Sequence, residues 1–170
     1  MSLSLAELDL KSLVVGIDPG KATGVAVWCP ETNEFEEVAS FSFWEAVQYL
    51  DPYLLAGMVG LAVVEDSRKT GLFRQRLGGA ASLIGAKGRS LGRVDRDCLL
   101  WIQLFHRHEI PVIARSTKNK AKKTDARTFR NLTGWKQVTN EHGRDAAMNV
   151  FGLNGSHVRS ARIDKSIEKA

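Results

Sequence analysis

One apolar run that ends in a carboxylate and turns straight back is the feature that most constrains this fold. Residues 13–17 read Leu-Val-Val-Gly-Ile, Asp18 follows, and a Pro-Gly pair at 19–20 breaks the strand. Residues 25–28, Val-Ala-Val-Trp, then run back as a second apolar strand. A buried strand that stops on an acid leaves that acid at the rim of a sheet, within reach of a metal ion or a phosphate. Because Asp is also a common turn residue, Asp18 alone is compatible with a purely structural role.

A second short run repeats this design later in the chain. Residues 61–64, Leu-Ala-Val-Val, are wholly apolar, and Glu65 and Asp66 follow them. A strand that is apolar on both sides is covered on both faces, which favours a central position in a parallel sheet. If the two runs are parallel neighbours, Asp18 and Glu65 lie at the same edge of the sheet, where α/β folds place their sites.

A short helical motif near the C-terminus adds two more polar side chains. His142 and Asp145 are three residues apart, so they share one helix face, and the Ala-Ala pair at 146–147 lets that helix lie close to a sheet. Carboxylates and an imidazole that converge on Asp18 and Glu65 suit Mg²⁺ or Mn²⁺. Two such ions about 4 Å apart can activate a water and stabilise the leaving oxygen in phosphodiester cleavage. Taken singly, His142 is also compatible with a surface histidine, and Asp145 with a partner of the helix dipole.

Charge is distributed unevenly along the chain, whose formal net charge is +5. Residues 1–65 hold two basic and ten acidic side chains. Residues 66–96 hold eight basic against two acidic side chains, and residues 115–136 hold eight against one. Two separate basic blocks favour a polyanion partner such as nucleic acid, although a solvated charged face is the common alternative.

Length and composition limit the class of protein. A chain of 170 residues is expected to form one domain, which we assign to residues 1–153, followed by a polar, frayed tail at 154–170. No apolar run approaches the roughly 20 residues that span a bilayer. The acidic N-terminus does not resemble a signal peptide, and Cys29 and Cys98 lack metal-type spacing. We therefore expect a cytoplasmic protein without a disulfide.

The order of the predicted elements favours an α/β fold. Three early β runs with short turns, followed by apolar strands separated by helices, predict a five-stranded mixed sheet flanked by helices. Strands one to three are expected to form an antiparallel meander, and strands one, four and five to run parallel. The last strand is predicted at 111–114, and Asn140 is predicted to begin the final helix.

Two helices are predicted between these strands. Residues 42–45, Ser-Phe-Trp-Glu, have the pattern that caps a helix. This helix is expected to end near Gly57 and to turn inward Trp44, Val47 and either Leu50 or Leu55. A clean apolar stripe predicts a second helix from about residue 91 to residue 108. The Gly-rich residues 67–93 are expected to hold at most a short helix around 80–84.

The ordered set of three motifs resembles the RuvC-type Holliday junction resolvases of the RNase H-like superfamily. These motifs are Gly-Ile-Asp-Pro-Gly at 16–20, Val-Val-Glu at 63–65 and His-x-x-Asp-Ala-Ala at 142–147. The likeness spans roughly residues 12–153 and is closer to divergent members carried by bacteriophages than to the housekeeping bacterial enzyme. It implies an RNase H-like fold and a Mg²⁺-dependent homodimer that nicks four-way DNA junctions symmetrically.

The resemblance also implies roles for individual residues. Asp18, Glu65 and Asp145 match the metal-binding carboxylates, and His142 occupies the position where some members have a fourth Asp and others a His. The implied cofactor is Mg²⁺ or Mn²⁺, with two ions in each active site. The family's dimer interface is built by helices that here fall within residues 67–108. Surplus apolar positions that a partner subunit would cover are Leu99, Leu100, Ile102 and Leu104.

DNA contacts are expected from the two basic blocks. Lys118 and Lys123 fall where the family's DNA-contacting lysines are expected. The housekeeping enzymes carry an aromatic wedge three residues after the second acid, but this chain has Arg68 there, and its nearest aromatic residue is Phe73. The residues expected to contact DNA are Arg68, Lys69, Phe73, Arg74, Arg76, Lys118, Lys120, Lys122, Lys123 and Arg127.

Three other functions fit parts of the sequence. A different nuclease on the same fold, of the YqgF type or a general flap endonuclease, shares the opening strand and hairpin. An ATP-binding relative of the actin and sugar-kinase type also ends its first strand in Asp, but it needs two lobes and a longer chain. A catalytically idle DNA-binding module is disfavoured, because clustered carboxylates repel phosphates unless a cation lies between them.

Overall fold

A single mixed sheet lies at the centre of the fold. The computed structural model describes residues 13–70, 81–116 and 123–168. Its strands are β1 Leu13–Asp18, β2 Thr23–Cys29, β3 Glu34–Phe41, β4 Val59–Asp66 and β5 Val112–Ser116. Their order is β3-β2-β1-β4-β5, with β1 to β3 antiparallel and β1, β4 and β5 parallel. The predicted five-stranded mixed sheet, which has the RNase H-like arrangement, is confirmed.

Helices cover both faces of this sheet. Within the described ranges they are α1 Phe43–Leu55, α2 Ala81–Arg107, α3 Ala126–Thr133, α4 Glu141–Val150 and α5 Gly155–Glu168. A 3-10 turn, Ser67–Thr70, follows β4. α1 and α2 close one hydrophobic core, and α4 closes another on the opposite face. Of the helices in the described ranges, none is long and apolar enough to cross a membrane.

The two central strands are buried on both faces, as their unbroken apolar sequences predict. Every residue of β1 and β4 is buried. Ile17 and Val64 belong to the core under α1 and α2. Because side chains alternate between the faces of a strand, the next residues, Asp18 and Glu65, face α4. Asp66 faces the α2 side again, so the side chains of the two neighbouring acids of β4 point to opposite faces of the sheet.

α2 differs most from the sequence-based expectation. Residues 67–93 were expected to hold at most a short helix, but one continuous helix runs from Ala81 to Arg107. Glycine inside a helix is unfavourable by about 1 kcal/mol relative to alanine. The C-terminal half of this helix is anchored by Trp101 and Phe105, which are fully buried against the sheet, and the helix continues toward its N-terminus from that anchor.

One residue of α1 was also predicted wrongly. Trp44 was expected to face inward, but 72% of its surface is exposed. The helix instead buries a stripe at the spacing of one helix face, formed by Ala46, Leu50 and Leu54. Val47 and Leu50, which were also expected to face inward, do contact the core. Only the first turn differs, because the fit against the sheet buries Ala46 rather than the larger Trp44.

The C-terminal segment is more ordered than its polar sequence suggests. The predicted frayed tail at 154–170 is helical from Gly155 to Glu168. Val158 is 2% exposed and belongs to the core beneath α4. Val158 and the half-buried Ala161, which are too few for a periodicity signal, therefore dock this helix.

Candidate active site

Two acids end adjacent parallel strands at one edge of the sheet. Ile17 lies beside Val64 in the register between β1 and β4, so Asp18 and Glu65 follow at the next position. Both face α4, and each is only 8% exposed. This is the arrangement that the two apolar runs predicted, and it places two carboxylates side by side at the carboxyl edge.

α4 brings an imidazole to this edge. The Nδ1 atom of His142 lies 3.0 Å from Oδ2 of Asp18. Asn140 fixes the start of the helix, because its side-chain oxygen accepts a hydrogen bond from the Gly143 N–H at 3.0 Å. The His142 side chain is still 45% exposed, so solvent reaches the ring. The predicted proximity of His142 to the first acid is therefore observed.

Glycines set how closely α4 approaches the sheet. A Cβ atom on Gly24 would overlap the carbonyl oxygen of His142, and one on Gly16 would overlap that of Ala146. The helix thus rests directly on the backbone of β1 and β2. The signal in the sequence was a glycine inside each apolar strand, which often marks a close backbone approach.

The second candidate site residue on α4, Asp145, lies one turn further along the helix. Asp145 is half-buried and shares the helix face of His142 at a spacing of three residues. Its neighbour Arg144 donates from Nε to the carbonyl of Thr124 at 2.9 Å and from Nη1 to that of Thr139 at 2.8 Å. Arg144 therefore ties the segment around α3 to α4, a role that the sequence did not reveal.

The donor set has the chemistry of a site for a hard divalent cation. Three carboxylates and one imidazole supply oxygen and nitrogen ligands that Mg²⁺ or Mn²⁺ accept. The nearly buried pair Asp18 and Glu65 is mutually repulsive unless a positive charge lies near. Across the described ranges, no three His, Cys, Asp or Glu side chains form a ready-made metal site. The inference that a metal ion fits here therefore rests on the chemistry of the donor groups and on the register of the strands that carry two of them.

Comparison with known proteins gives a distant structural likeness. No family model matches the sequence, and no curated protein matches it. Among solved structures, the chain is similar to Thermus thermophilus RuvC in complex with Holliday junction substrate. The identity is 18%, the match covers 88% of this chain and 94% of that chain, and the TM-score is 0.46. At this level the likeness concerns the fold alone and says nothing about activity.

A separate polar cluster lies on the α2 side of the same strand end. Asp66 is 2% exposed and accepts hydrogen bonds from Arg68 Nε at 2.8 Å and Nη2 at 2.7 Å. These bonds hold the pKa of the Asp66 carboxyl below its usual value, although burial acts in the opposite direction. The second acid of the Glu65–Asp66 pair is therefore neutralised by the protein itself.

Arg68→Ala is expected to destabilise the protein by about 2–3 kcal/mol at neutral pH, because Asp66 becomes a buried charge without its partner. Since the folded pKa of Asp66 is depressed below 3.8, this stabilisation is present above pH 3.8. It is lost as the pH falls through the folded pKa. Urea unfolding of both proteins across pH 2–7 measures the difference.

Arg96→Ala is the matched control for this measurement. Arg96 forms a 3.8 Å ion pair with Asp97 on α2, but its side chain is 73% exposed. Exposed ion pairs contribute only about 0–1 kcal/mol. A loss for Arg68→Ala that equals the loss for Arg96→Ala, or that does not shrink in acid, would contradict the buried-pair interpretation.

Four of the predicted DNA-contacting residues lie in the described ranges. Arg68 is engaged by Asp66, and Lys69 donates from Nζ to a backbone carbonyl of β5 at 3.0 Å. Lys123 pairs with Glu141, the first residue of α4, and Arg127 is exposed on α3. The remaining predicted contacts lie outside the described residues: Phe73, Arg74, Arg76, Lys118, Lys120 and Lys122.

Further basic residues reach this edge in ways that only the fold reveals. Arg115 on β5 pairs in register with Glu65, so both side chains leave the same face of the sheet. α2 passes the end of β4 where Ser67 Oγ donates to Asp95 Oδ1 at 2.7 Å. Residues 81–94 of α2 therefore extend past the end of β4 as a helical segment about 20 Å long. One exposed stripe on α2 is formed by three arginines: Arg89 and Arg93 lie on this projecting segment, and Arg96 lies next to it.

Proposed function

We propose that this chain is a divalent-metal-dependent endonuclease that resolves four-way DNA junctions by paired phosphodiester nicks. One observation supports this most strongly. Asp18 and Glu65 end adjacent parallel strands on the face of α4, and His142 of that helix lies 3.0 Å from Asp18. Asp145 lies one helical turn from His142. Four polar ligands from three elements at one sheet edge suit phosphodiester hydrolysis better than a structural role.

The residues have distinct proposed roles. Asp18, Glu65 and Asp145 would hold Mg²⁺ or Mn²⁺, with His142 beside them. Bound at two positions, these ions would activate a water molecule and neutralise charge on the phosphate. Asp18 orients the imidazole through Nδ1, which leaves Nε2 to accept a proton from the attacking water.

The nucleophile in this proposal is water rather than a side chain. The three motifs contain no Ser, Cys or Tyr in an activated arrangement. Cys98 is the nearest described thiol to β4, where its Sγ lies 3.3 Å from the carbonyl oxygen of Glu65. Burial raises the pKa of that thiol, which keeps it protonated and unreactive.

Charge around the edge supports a nucleic acid as the substrate. The exposed stripe of three arginines on α2 extends past the acids, and Arg115 leaves the same face as Glu65. Lys123, which belongs to the second basic block and precedes α3, pairs with Glu141 at the start of α4 and so lies in this region. Cations that flank an acidic centre can bind phosphates on both sides of a scissile bond.

We also propose that two copies act together as a cytoplasmic homodimer, since paired cuts need two sites related by a two-fold axis. Leu99 and Leu100 on α2 are 42% and 36% exposed. The other two surplus positions, Ile102 and Leu104, pack against the core of their own chain. The partner surface would therefore centre on the first pair.

Nicking of end-labelled DNA tests the proposal. Four-way junctions, three-way junctions, flaps and linear duplex are incubated with the protein, with and without Mg²⁺. Two opposed nicks in the four-way junction that require Mg²⁺ are expected. Equal cutting of flaps would indicate a general branched-DNA nuclease, and binding without cutting in Mg²⁺ or Mn²⁺ would indicate an idle DNA-binding module.

The basic block before α3 provides a second test, in which binding to the same DNAs is measured. Replacing Lys118, Lys120, Lys122 and Lys123 by Ala is expected to weaken binding to every DNA. The slope of log affinity against log salt should fall by up to about four charges. An unchanged affinity and an unchanged slope would mean that this block is a solvated surface.

A further inference from the structure

The largest exposed aromatic side chain in the described ranges lies at the same edge of the sheet as the acids. Trp44 is 72% exposed, in contrast to Trp28 and Trp101, which are 1% and 0% exposed. When an indole is left exposed to water, the stabilisation lost from unburied apolar surface is larger than for any other side chain. The packing of α1 does not require the Trp44 side chain, because smaller residues fill the face of the helix that contacts the core.

Strand pairing places Trp44 relative to the site. Phe41, the last residue of β3, pairs with Thr23, and Gly24 pairs with Asp18. β3 therefore ends at the carboxyl edge, two strand spacings or about 10 Å from β1. α1 begins directly after it, so Trp44 stands in the first turn of a helix that starts at the edge carrying Asp18.

Neighbouring side chains and the helix cap restrict the position of the Trp44 indole. The Phe43 ring meets it edge-on, with centroids 5.3 Å apart, and Phe43 itself packs on the buried Trp101 at 5.1 Å. The Glu45 carboxylate accepts a hydrogen bond from the Ser42 N–H at 2.8 Å, which fixes the first turn. A rigid and exposed aromatic face suits stacking, because little conformational freedom is lost on contact.

Basic residues surround the approach to this face. Lys21 is exposed in the turn between β1 and β2, which lies between Asp18 and the end of β3. The arginine stripe of α2 projects past the same edge and on the same side of the sheet as α1. A cationic path with an aromatic platform beside it is the usual design for binding unpaired nucleotides.

We infer that Trp44 stacks on an unpaired nucleobase of the DNA substrate and that Lys21 binds the phosphate backbone between that base and the acidic site. This inference rests on the proposed nuclease function. α1 and α4 lie on opposite faces, so DNA that touches both Trp44 and His142 must cross the sheet edge. A branch point, where strands diverge and bases unstack, meets this requirement, whereas straight duplex offers no free base face. Trp44 thus selects branched over linear DNA.

Equilibrium binding in EDTA, which prevents cleavage, tests this inference. The labelled DNAs are a four-way junction, an oligothymidylate and a blunt duplex. Trp44→Ala is expected to weaken binding to the first two about tenfold while duplex affinity changes less than about twofold. Trp44→Phe keeps an aromatic face and should restore most of the affinity. Lys21→Ala should weaken binding to all three DNAs and reduce the salt slope by about one charge.

Leu55→Ala is the matched control. Leu55 is 78% exposed at the far end of the same helix, away from the acidic edge. Its removal deletes exposed apolar surface without touching the proposed platform, so binding to each DNA should be unchanged. Oligothymidylate should also quench the intrinsic fluorescence of the wild type, and this quenching should be lost in Trp44→Phe.

The possible outcomes distinguish the stacking role of Trp44 from the proposed nuclease function on which it rests. If the wild type nicks junctions but Trp44→Ala retains full discrimination and wild-type affinity, the stacking role is wrong and the nuclease stands. If Trp44→Ala changes the sedimentation coefficient while DNA affinity is unchanged, Trp44 instead belongs to a protein interface. A wild type that binds no DNA, either in EDTA or in Mg²⁺, overturns both proposals.

Discussion

Asp18→Asn is expected to reduce junction nicking at least about a thousandfold while leaving junction binding intact or tighter. The amide keeps the shape of the carboxylate and can still meet His142 Nδ1, but it removes a negative charge from the proposed cation site. It also removes a charge that repels phosphate, which accounts for unchanged or tighter binding. Paired binding and nicking assays on one preparation measure both quantities.

The same strand edge supplies a matched control. Asp66→Asn alters a buried acid next to Glu65, but its side chain faces α2 and pairs with Arg68. Nicking per folded molecule should therefore remain near that of the wild type. Normal nicking by Asp18→Asn, or equal loss in both variants, would place the chemistry elsewhere.

His142→Ala gives a graded result in the same assay. Three carboxylates remain to hold at least one ion, so nicking should slow without disappearing. Loss of the proton acceptor is expected to reduce the rate by about 10²-fold. Full activity would reduce His142 to a residue that only contacts Asp18 at the start of α4.

Gly24→Ala is expected to destabilise the fold by at least about 3 kcal/mol, a large part of the stability of a single domain. Gly24 does not adopt a positive φ, so its requirement is one of space. A Cβ atom there would overlap the carbonyl oxygen of His142, which belongs to helix backbone and cannot rotate away. Only a shift of the whole helix relieves the overlap, and that shift separates His142 from Asp18.

The control for this substitution is another Gly→Ala change. A Cβ atom on Gly88 in α2 meets no described atom within 4 Å. Gly88→Ala should stabilise the protein by about 1 kcal/mol, because alanine favours the helical backbone. Thermal and urea unfolding compare the two variants, and a Gly24→Ala protein as stable as the wild type would show that α4 does not rest on this strand.

Local sequence patterns were sufficient for much of the architecture. Unbroken apolar runs predicted β1 and β4 as central strands, and the acids that end them fell at one edge, as expected. The predicted cap at Asn140 was also correct, since Asn140 caps the N-terminus of α4. These signals act over a few residues, so they are present in the sequence regardless of the rest of the fold.

Register and helix docking decided what local patterns left open. The sequence places Glu65 and Asp66 on opposite faces by strand alternation, but which of the two residues faces α4 follows from how the helices pack on the sheet. It also left Arg115 unassigned, although strand pairing sets it beside Glu65. Such relations depend on contacts between distant segments, which no short window contains.

The sequence by itself determined the strands, their terminal acids and the helix that carries His142 and Asp145, because periodicity and capping are local. Only the tertiary structure decided that Trp44 faces water and that the glycine at position 24 supports α4. Burial and close approach depend on the shape of the opposing surface. That surface exists only once the sheet has formed and the helices have docked on it.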